Sequence, residues 1–312
     1  MIVRDRPHGL QLIFTLRGSV LPHIVGKLAI CTAFAIVVTI THGVLYEEKV
    51  ALTAAPFSLI GLALAIFLGF RNSAAYDRYW EARKLWGDLV YRSRALARQL
   101  QSLTTLASPA APDDGADVRR AIMLRAIAFA STLRHELRGT DAAADLRRLL
   151  PADEAAAGAT AARGSDYLLR RMALDLGSLV RAGHLQAPLA ANIDDSLTAM
   201  GAVAAGCERI QRTPIPFAYT LLLHRTAWLY CLLLPFGLVD TVGAMTPFVV
   251  VIVAYTFFGL AALGDEIEEP FGTADNHLPL DALCREIEAS VLDALGVREL
   301  PPRLVPVDGR LT

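Results

Sequence analysis

Four stretches of this 312-residue chain run for about a bilayer's length with almost no charge. Leu28 to Leu45 and Val50 to Phe70 hold none, the second with Pro56 near its start. Phe217 to Val239 is apolar except for His224 and Arg225, and Gly243 to Gly264 is again uncharged. A helix crossing a hydrocarbon layer of ~30 Å needs about twenty residues. One such run can be the buried helix of a soluble protein, but four together predict a membrane-embedded chain.

Between the second and third runs the pattern changes to amphipathic helix. Tyr76 to Leu106 is rich in helix formers, with no Pro and one Gly. Residues 108–117, "SPAAPDDGAD", predict a turn-rich break. Val118 to Leu137 then places Ile122, Ala126, Phe129, Leu133 and Leu137 on one helical face. Residues 151–166, "PADEAAAGATAARGSD", predict a mobile loop. Helices are expected over Tyr167–Arg181, Ala190–Arg212 and Asp281–Leu295, followed by a Pro-rich end. The fold class is therefore an all-α membrane protein, four transmembrane helices continuous with a cytosolic helical domain. The predicted divisions are a cytosolic N-terminal segment at 1–27, first and second spans at 28–70, and a helical domain at 71–216. The third and fourth spans follow at 217–264, and a C-terminal segment at 265–312.

Charge supplies the orientation. Twenty of the thirty Lys and Arg lie between Arg71 and Pro216, and four more in the first 27 residues. The short connections carry only Lys49 between the first two spans and none at Asp240 to Val242. Basic residues favour the cytoplasmic side, so both termini and the long middle segment are expected there. Arg4, Arg6 and Arg17 are scattered ahead of the first apolar run and no small-residue cleavage site follows it. A cleaved leader is therefore not expected.

Composition narrows the chemistry. The mean hydropathy is +0.41, and a net charge of −1 without a basic, aromatic-interleaved stripe gives no reason to expect a nucleic-acid partner. Cys31, Cys207, Cys231 and Cys284 have no paired or zinc-like spacing, which predicts four reduced, packed thiols. No Ser-His-Asp set, phosphate-cradling glycine loop or metal-ligand spacing appears, so no enzyme, no cofactor and no metal site is expected. His224 and Arg225 sit within an apolar run, where charge is costly and often functional. With no second catalytic group in view, they are expected to be shielded by neighbouring helices, Arg225 against a carboxylate.

The second run is the most informative. Gly61, Ala65 and Gly69 recur every four residues, and small residues at that spacing allow close helix approach in lipid. Leu62, Ile66 and Phe70 form the neighbouring stripe, about 100° around the helix. Spacing alone lets that stripe face lipid, another helix or a pore. Immediately beyond it come Arg71, Asp77, Arg78, Glu81, Arg83 and Lys84, mixed with Tyr76, Tyr79, Trp80 and Trp86. Tyr76 with Trp80, Trp80 with Lys84, and Tyr79 with Arg83 are spaced for stacking on one face as the helix leaves the membrane.

The segment "APFSLIGLALAIFLGFRNSAAYDRYWEARKLWG" resembles the signature of the bestrophin family, bacterial branch. "TPIPFAYTLLLHRTAWLYCLLLPFGLV" is similar to that family's third span, and "DEIEEPFGTADNHLPLD" to the segment after its fourth. The resemblance implies a homopentamer in the bacterial inner membrane around one central ion pore. It places Leu62, Ile66 and Phe70 at an apolar pore neck that acts as a hydrophobic gate. It also places Leu176, within "LDLGSLVRAGHL", at a second, cytosolic constriction. Animal members bind calcium through an acidic cluster after the Pro-Phe-Gly turn. Here Pro270, Phe271 and Gly272 are followed by Thr273, Ala274, Asp275, Asn276 and His277, and one Asp is too few for such a site. Asp265, Glu266, Glu268 and Glu269 precede the turn and are expected to be a solvated exit from the fourth span.

The implied activity is passive ion conduction. Animal bestrophins pass anions and the bacterial branch includes cation-conducting members. Each outer face offers Glu47, Glu48 and Asp240 against Lys49, a net of −2 per subunit, which favours monovalent cations at the mouth. An anion (chloride) channel of the same architecture, or a membrane-anchored scaffold, is the alternative. Membrane lipids are expected partners, and a cytosolic protein partner stays open.

Overall fold

A computed structural model describes residues 1–3, 15–16, 18–45, 48–49, 54–105 and 114–312. Apart from a short hairpin pairing Val44–Leu45 with Glu48–Lys49 and isolated bridges near the termini, the described chain is helical. It divides into two compact units, each with its own core.

The apolar unit takes in Arg4–Tyr79 and Pro214–Pro270. It holds helix α1 (Leu21–Ile40), the first part of α2 (Ala54–Leu103), α8 (Phe217–Val242) and α9 (Thr246–Glu268). α1 begins before the apolar run, where Ser19 Oγ accepts the Leu21 amide at 3.1 Å and Pro22 occupies the first turn. It stops at Ile40, where His42 and Gly43 take positive φ. Three helical stretches are long and apolar enough to cross a membrane: Leu21–Ile40, Pro56–Leu103 and Phe217–Glu268. The last has 52 residues, about 78 Å at 1.5 Å per residue, more than twice the hydrocarbon thickness. It folds back at Gly243, whose φ of +58° suits a residue without Cβ, and a 3₁₀ turn over Gly243–Met245 starts α9.

The core of this unit joins Ile24 and Cys31 of α1, Phe57, Leu64 and Leu68 of α2, Cys231 of α8, and Val250 and Phe258 of α9. Aromatic edges knit it. Phe34 meets Phe236, and Tyr230 packs edge-on against both Phe57 and Phe257.

The second unit comprises Met1–Val3, Trp80–Thr213 and Phe271–Thr312. Its axis is α3 (Asp114–Arg138), which packs against α6 (Gly164–Arg181) and α10 (Leu280–Ala294). Ile122, Ala126, Phe129, Leu133 and Leu137 are all buried, as the spacing predicts. Residues 106–113, most of the expected break, lie outside the described residues. α4 (Ala143–Leu149) and α7 (Ala187–Arg212) complete the packing together with α5 (Ala152–Thr160). α5 corrects the loop expected at 151–166. Its alanines are strong helix formers, Pro151 precedes the first turn, and Asp153 and Glu154 lie where the helix dipole favours acids. Glu154 is buried against Arg125, which also pairs with Asp175.

The chain ends meet in this unit. The Met1 amine donates to the Leu311 carbonyl at 2.5 Å, Val3 N to Gly309 O at 2.8 Å, and Ala282 N to Thr312 O at 2.9 Å.

Candidate functional site

α2 is one continuous helix of 50 residues, about 75 Å long, so it outruns any bilayer. Its apolar part presents two unlike faces. Phe57, Leu64, Leu68 and then Arg71 and Ala75 are buried within the chain, Leu64 and Leu68 at 3 % exposure. Leu62, Ile66 and Phe70 stand out at 61, 49 and 68 % exposure. Four-residue spacing separates successive members by about 6 Å along the axis. The small-residue stripe is needed at one end only: a Cβ on Gly61 would lie 2.8 Å from Tyr230 Oη, whereas Gly69 has nothing within 4 Å.

Where the apolar face ends, a polar cluster replaces it. Arg71 is 3 % exposed. Its Nη1 donates to the Ala261 carbonyl at 3.3 Å, and its Nη2 donates to Glu268 Oε2 at 3.1 Å and to the Asp265 carboxylate. Glu268 Oε1 accepts the Ile215 amide at 2.9 Å, and the Glu268 carbonyl accepts from Arg78 Nε at 3.2 Å. His224 Nε2 stands 3.5 Å from Asp265 Oδ2. Asn72 donates to the Leu260 carbonyl at 3.0 Å, and a Cβ on Gly264 would strike Asn72 Oδ1. The cluster ties the end of α2's apolar part to the end of α9 and the start of α8.

This overturns two expectations. Glu268, its side chain 12 % exposed, is not part of a solvated exit, and Asp265, though 42 % exposed, is bonded to Arg71, because an arginine withdrawn from water must be met by carboxylates. The histidine, not the arginine, of the His224–Arg225 pair meets a carboxylate. Arg225 is exposed and has no ion-pair partner among the described residues. A sequence signal for the cluster did exist: Arg71 and Asp265 are each the first charge after an uncharged run, which puts opposite charges at one membrane depth.

The remaining expected residues fall out unevenly. Arg83 lies over the Trp80 ring at 4.9 Å, three residues on. Leu176 is 4 % exposed in its unit's core, while Leu174, two residues before it, is 61 % exposed. Glu47 lies outside the described residues, only the backbone of Glu48 is described, and Asp240 is exposed at the end of α8. After the Pro-Phe-Gly turn, Asp275 stands 3.5 Å from Arg310, and His277 Nδ1 accepts the Ala274 amide at 3.1 Å. Among the described residues no group of three or more His, Cys, Asp or Glu comes together to hold a metal ion. All four cysteines are buried and unpaired. Burial pushes the Cys207 thiol up to about 12, helped by Glu81, and burial likewise pushes Cys284 up to about 12. Neither is a nucleophile at neutral pH.

Apolar helices of spanning length, one running far past a bilayer and locked at its exit by an ion cluster, define a multi-spanning helical membrane protein. The chain belongs to the bacterial/fungal bestrophin family, whose model matches residues 1–293. It is 46% identical over 309 residues to the voltage-dependent anion channel-forming protein mll4386 of Mesorhizobium japonicum, covering 99% of this chain and 96% of that one. It is 44% identical to the voltage-dependent anion channel-forming protein YneE of Escherichia coli, covering 98% of each. Among solved structures it is similar to a bacterial bestrophin homolog from Klebsiella pneumoniae, with a TM-score of 0.82 and 42% identity over 88% of this chain and 100% of that one. The family consists of ion channels, not enzymes.

Proposed function

We propose that this protein is a passive ion channel of the bacterial inner membrane, a homopentamer whose α2 helices line one central pore. The observation that carries the reading is the split character of α2. Leu64 and Leu68 are buried in the protomer while Leu62, Ile66 and Phe70 are left uncovered at helical spacing. Five copies of that stripe make three stacked apolar rings, and a narrow apolar neck blocks ions by dewetting. Leu176, being buried, is left out of the proposed ion path. The cytoplasmic placement of both termini and of α3 to α7 is supported by the basic middle segment. It is also supported by the bonding of the first residues to the last. Lipids surround the spans.

The ion is a monovalent cation in this reading, favoured by Glu47, Glu48 and Asp240 against Lys49. Anion conduction is the second reading, favoured by the names the relatives carry. Purified protein in a planar bilayer under a NaCl gradient decides. Reversal near the sodium potential supports the first reading, reversal near the chloride potential the second, and the absence of unitary currents removes both in favour of a scaffold.

A further inference from the structure

The pore face of α2 does not end at Phe70. Seven residues on, within about 20° of the same direction and ~10.5 Å farther along the axis, stands Asp77. It is exposed and has no hydrogen-bond or ion-pair partner among the described residues. Between the two, Ser73 and Ala74 are exposed, small and uncharged, so nothing on this face screens one from the other. The neighbouring cations lie elsewhere. Arg71 and Arg78 are each about 80–100° around the helix from the stripe. Arg71 is buried against Asp265 and Glu268, and Arg78 is bonded to the Glu268 carbonyl. On this stretch of α2 the charged residues are Arg71, Asp77 and Arg78. The one unpaired member of that set is Asp77. The next charge in this register, Lys84, comes two further turns along the sequence.

We infer that Asp77 is the residue that sets the sign and rate of ion passage, as a ring of carboxylates at the cytosolic mouth of the neck. The inference rests on the pore reading of α2 above. An apolar neck offers an ion no preferred sign, so discrimination falls to the nearest fixed charge. Helix register ties Asp77 to the axis because it shares Phe70's direction. Five carboxylates within roughly a Debye length of a permeating ion change the sodium-to-chloride permeability ratio by about tenfold or more.

The test uses the full-length protein in planar bilayers under a NaCl gradient, comparing the parent with Asp77→Asn and Asp77→Glu after each is shown to elute as the parent assembly does. Asp77→Asn should lower the sodium-to-chloride ratio about tenfold, and Asp77→Glu, which keeps the charge, should hold the parent's reversal potential. An unchanged reversal in Asp77→Asn, or an equal shift in both variants, overturns the inference while leaving the channel intact. A parent that reverses near the chloride potential overturns it together with the cation reading. Silence from both the parent and a neck-widened Leu62→Ala, Ile66→Ala, Phe70→Ala variant overturns the pore itself. If Asp77→Asn does not assemble, the parent alone decides. Capture of cations by a charged ring makes its sodium conductance level off at a floor as salt falls below about 0.1 M, and a conductance strictly proportional to salt refutes the ring.

Discussion

Replacing Arg71 with Met should loosen the apolar unit at the place where α2, α8 and α9 are tied. Three hydrogen-bonded contacts go at once: to the Ala261 carbonyl, to Glu268 and to Asp265. Breaking a buried ion pair by removing one partner costs about 3–5 kcal/mol, because a charge is stranded, whereas an exposed pair is worth about 0–1 kcal/mol. Here the geometry is intermediate. The Arg71 side chain is 1 % exposed, that of Glu268 12 % and that of Asp265 42 %. Water already reaches Asp265 and can solvate it once Arg71 is gone, and Glu268 keeps the Ile215 amide. The expected loss is therefore about 2–3 kcal/mol. At roughly 2–4 °C per kcal/mol for domains near this size, the detergent-solubilised protein should melt about 4–12 °C lower when unfolding is followed by fluorescence-detected size exclusion. Arg83→Met is the control: Arg83 is exposed and lies on the Trp80 ring, a contact worth about 0.5–1 kcal/mol. The charge-free triple Arg71→Met, Asp265→Asn, Glu268→Gln should recover part of the loss, since no buried charge is stranded. A single variant that melts with the parent, or a triple that melts below the single, refutes the reasoning.

Other outcomes follow from the same geometry. Converting Leu62, Ile66 and Phe70 together to Ala should raise unitary conductance or open probability, and a variant that conducts like the parent shows that the stripe faces lipid. Open probability should be equal in micromolar calcium and in chelator; a steep calcium response would mean that carboxylates around the Pro-Phe-Gly turn gather into a site. Burial alone would raise the Asp281 carboxyl, but the hydrogen bond and charge of Arg138 and the charge of Arg134 outweigh it and hold it below the usual carboxylate range. A carboxyl with a depressed folded pKa contributes stability that is full above its unfolded value of about 3.9 and is lost as pH falls through the folded value. In Asp281→Asn that acid-side loss should shrink in thermal melts between about pH 5 and pH 3, and an unchanged pH profile would show that the pair contributes nothing.

Much of the fold was legible because it rests on contrast between apolar and polar positions. The buried face of α3 follows from a regular apolar repeat, and the spanning helices from uncharged length. α5 escaped because alanine and glycine give no such contrast. The helix is set by propensity, by its dipole and by Glu154 meeting Arg125, a partner on another helix that no local window contains. The Arg71 cluster escaped for the same reason, its arginine and aspartate being 194 positions apart. Leu176 and Leu174 show a finer limit. Two leucines two residues apart on one helix point in very different directions, and the resemblance could indicate the region of a constriction but not which side chain the core would claim.

The question of sign turns on distance from the axis more than on the count of charges. Glu47, Glu48 and Asp240 outnumber Lys49 at the proposed outer face, but a charge acts on a permeating ion only within about 8 Å at physiological salt, and nothing in the described loop fixes their radius. Asp77 needs no such assumption once α2 lines the pore, because the helix that presents Phe70 presents Asp77 in the same direction. If cations pass, neutralising the outer acids should therefore change inward current chiefly at low ionic strength, through capture at the mouth. Neutralising Asp77 should change the permeability ratio at every salt concentration where the ring lies within a screening length of the ion.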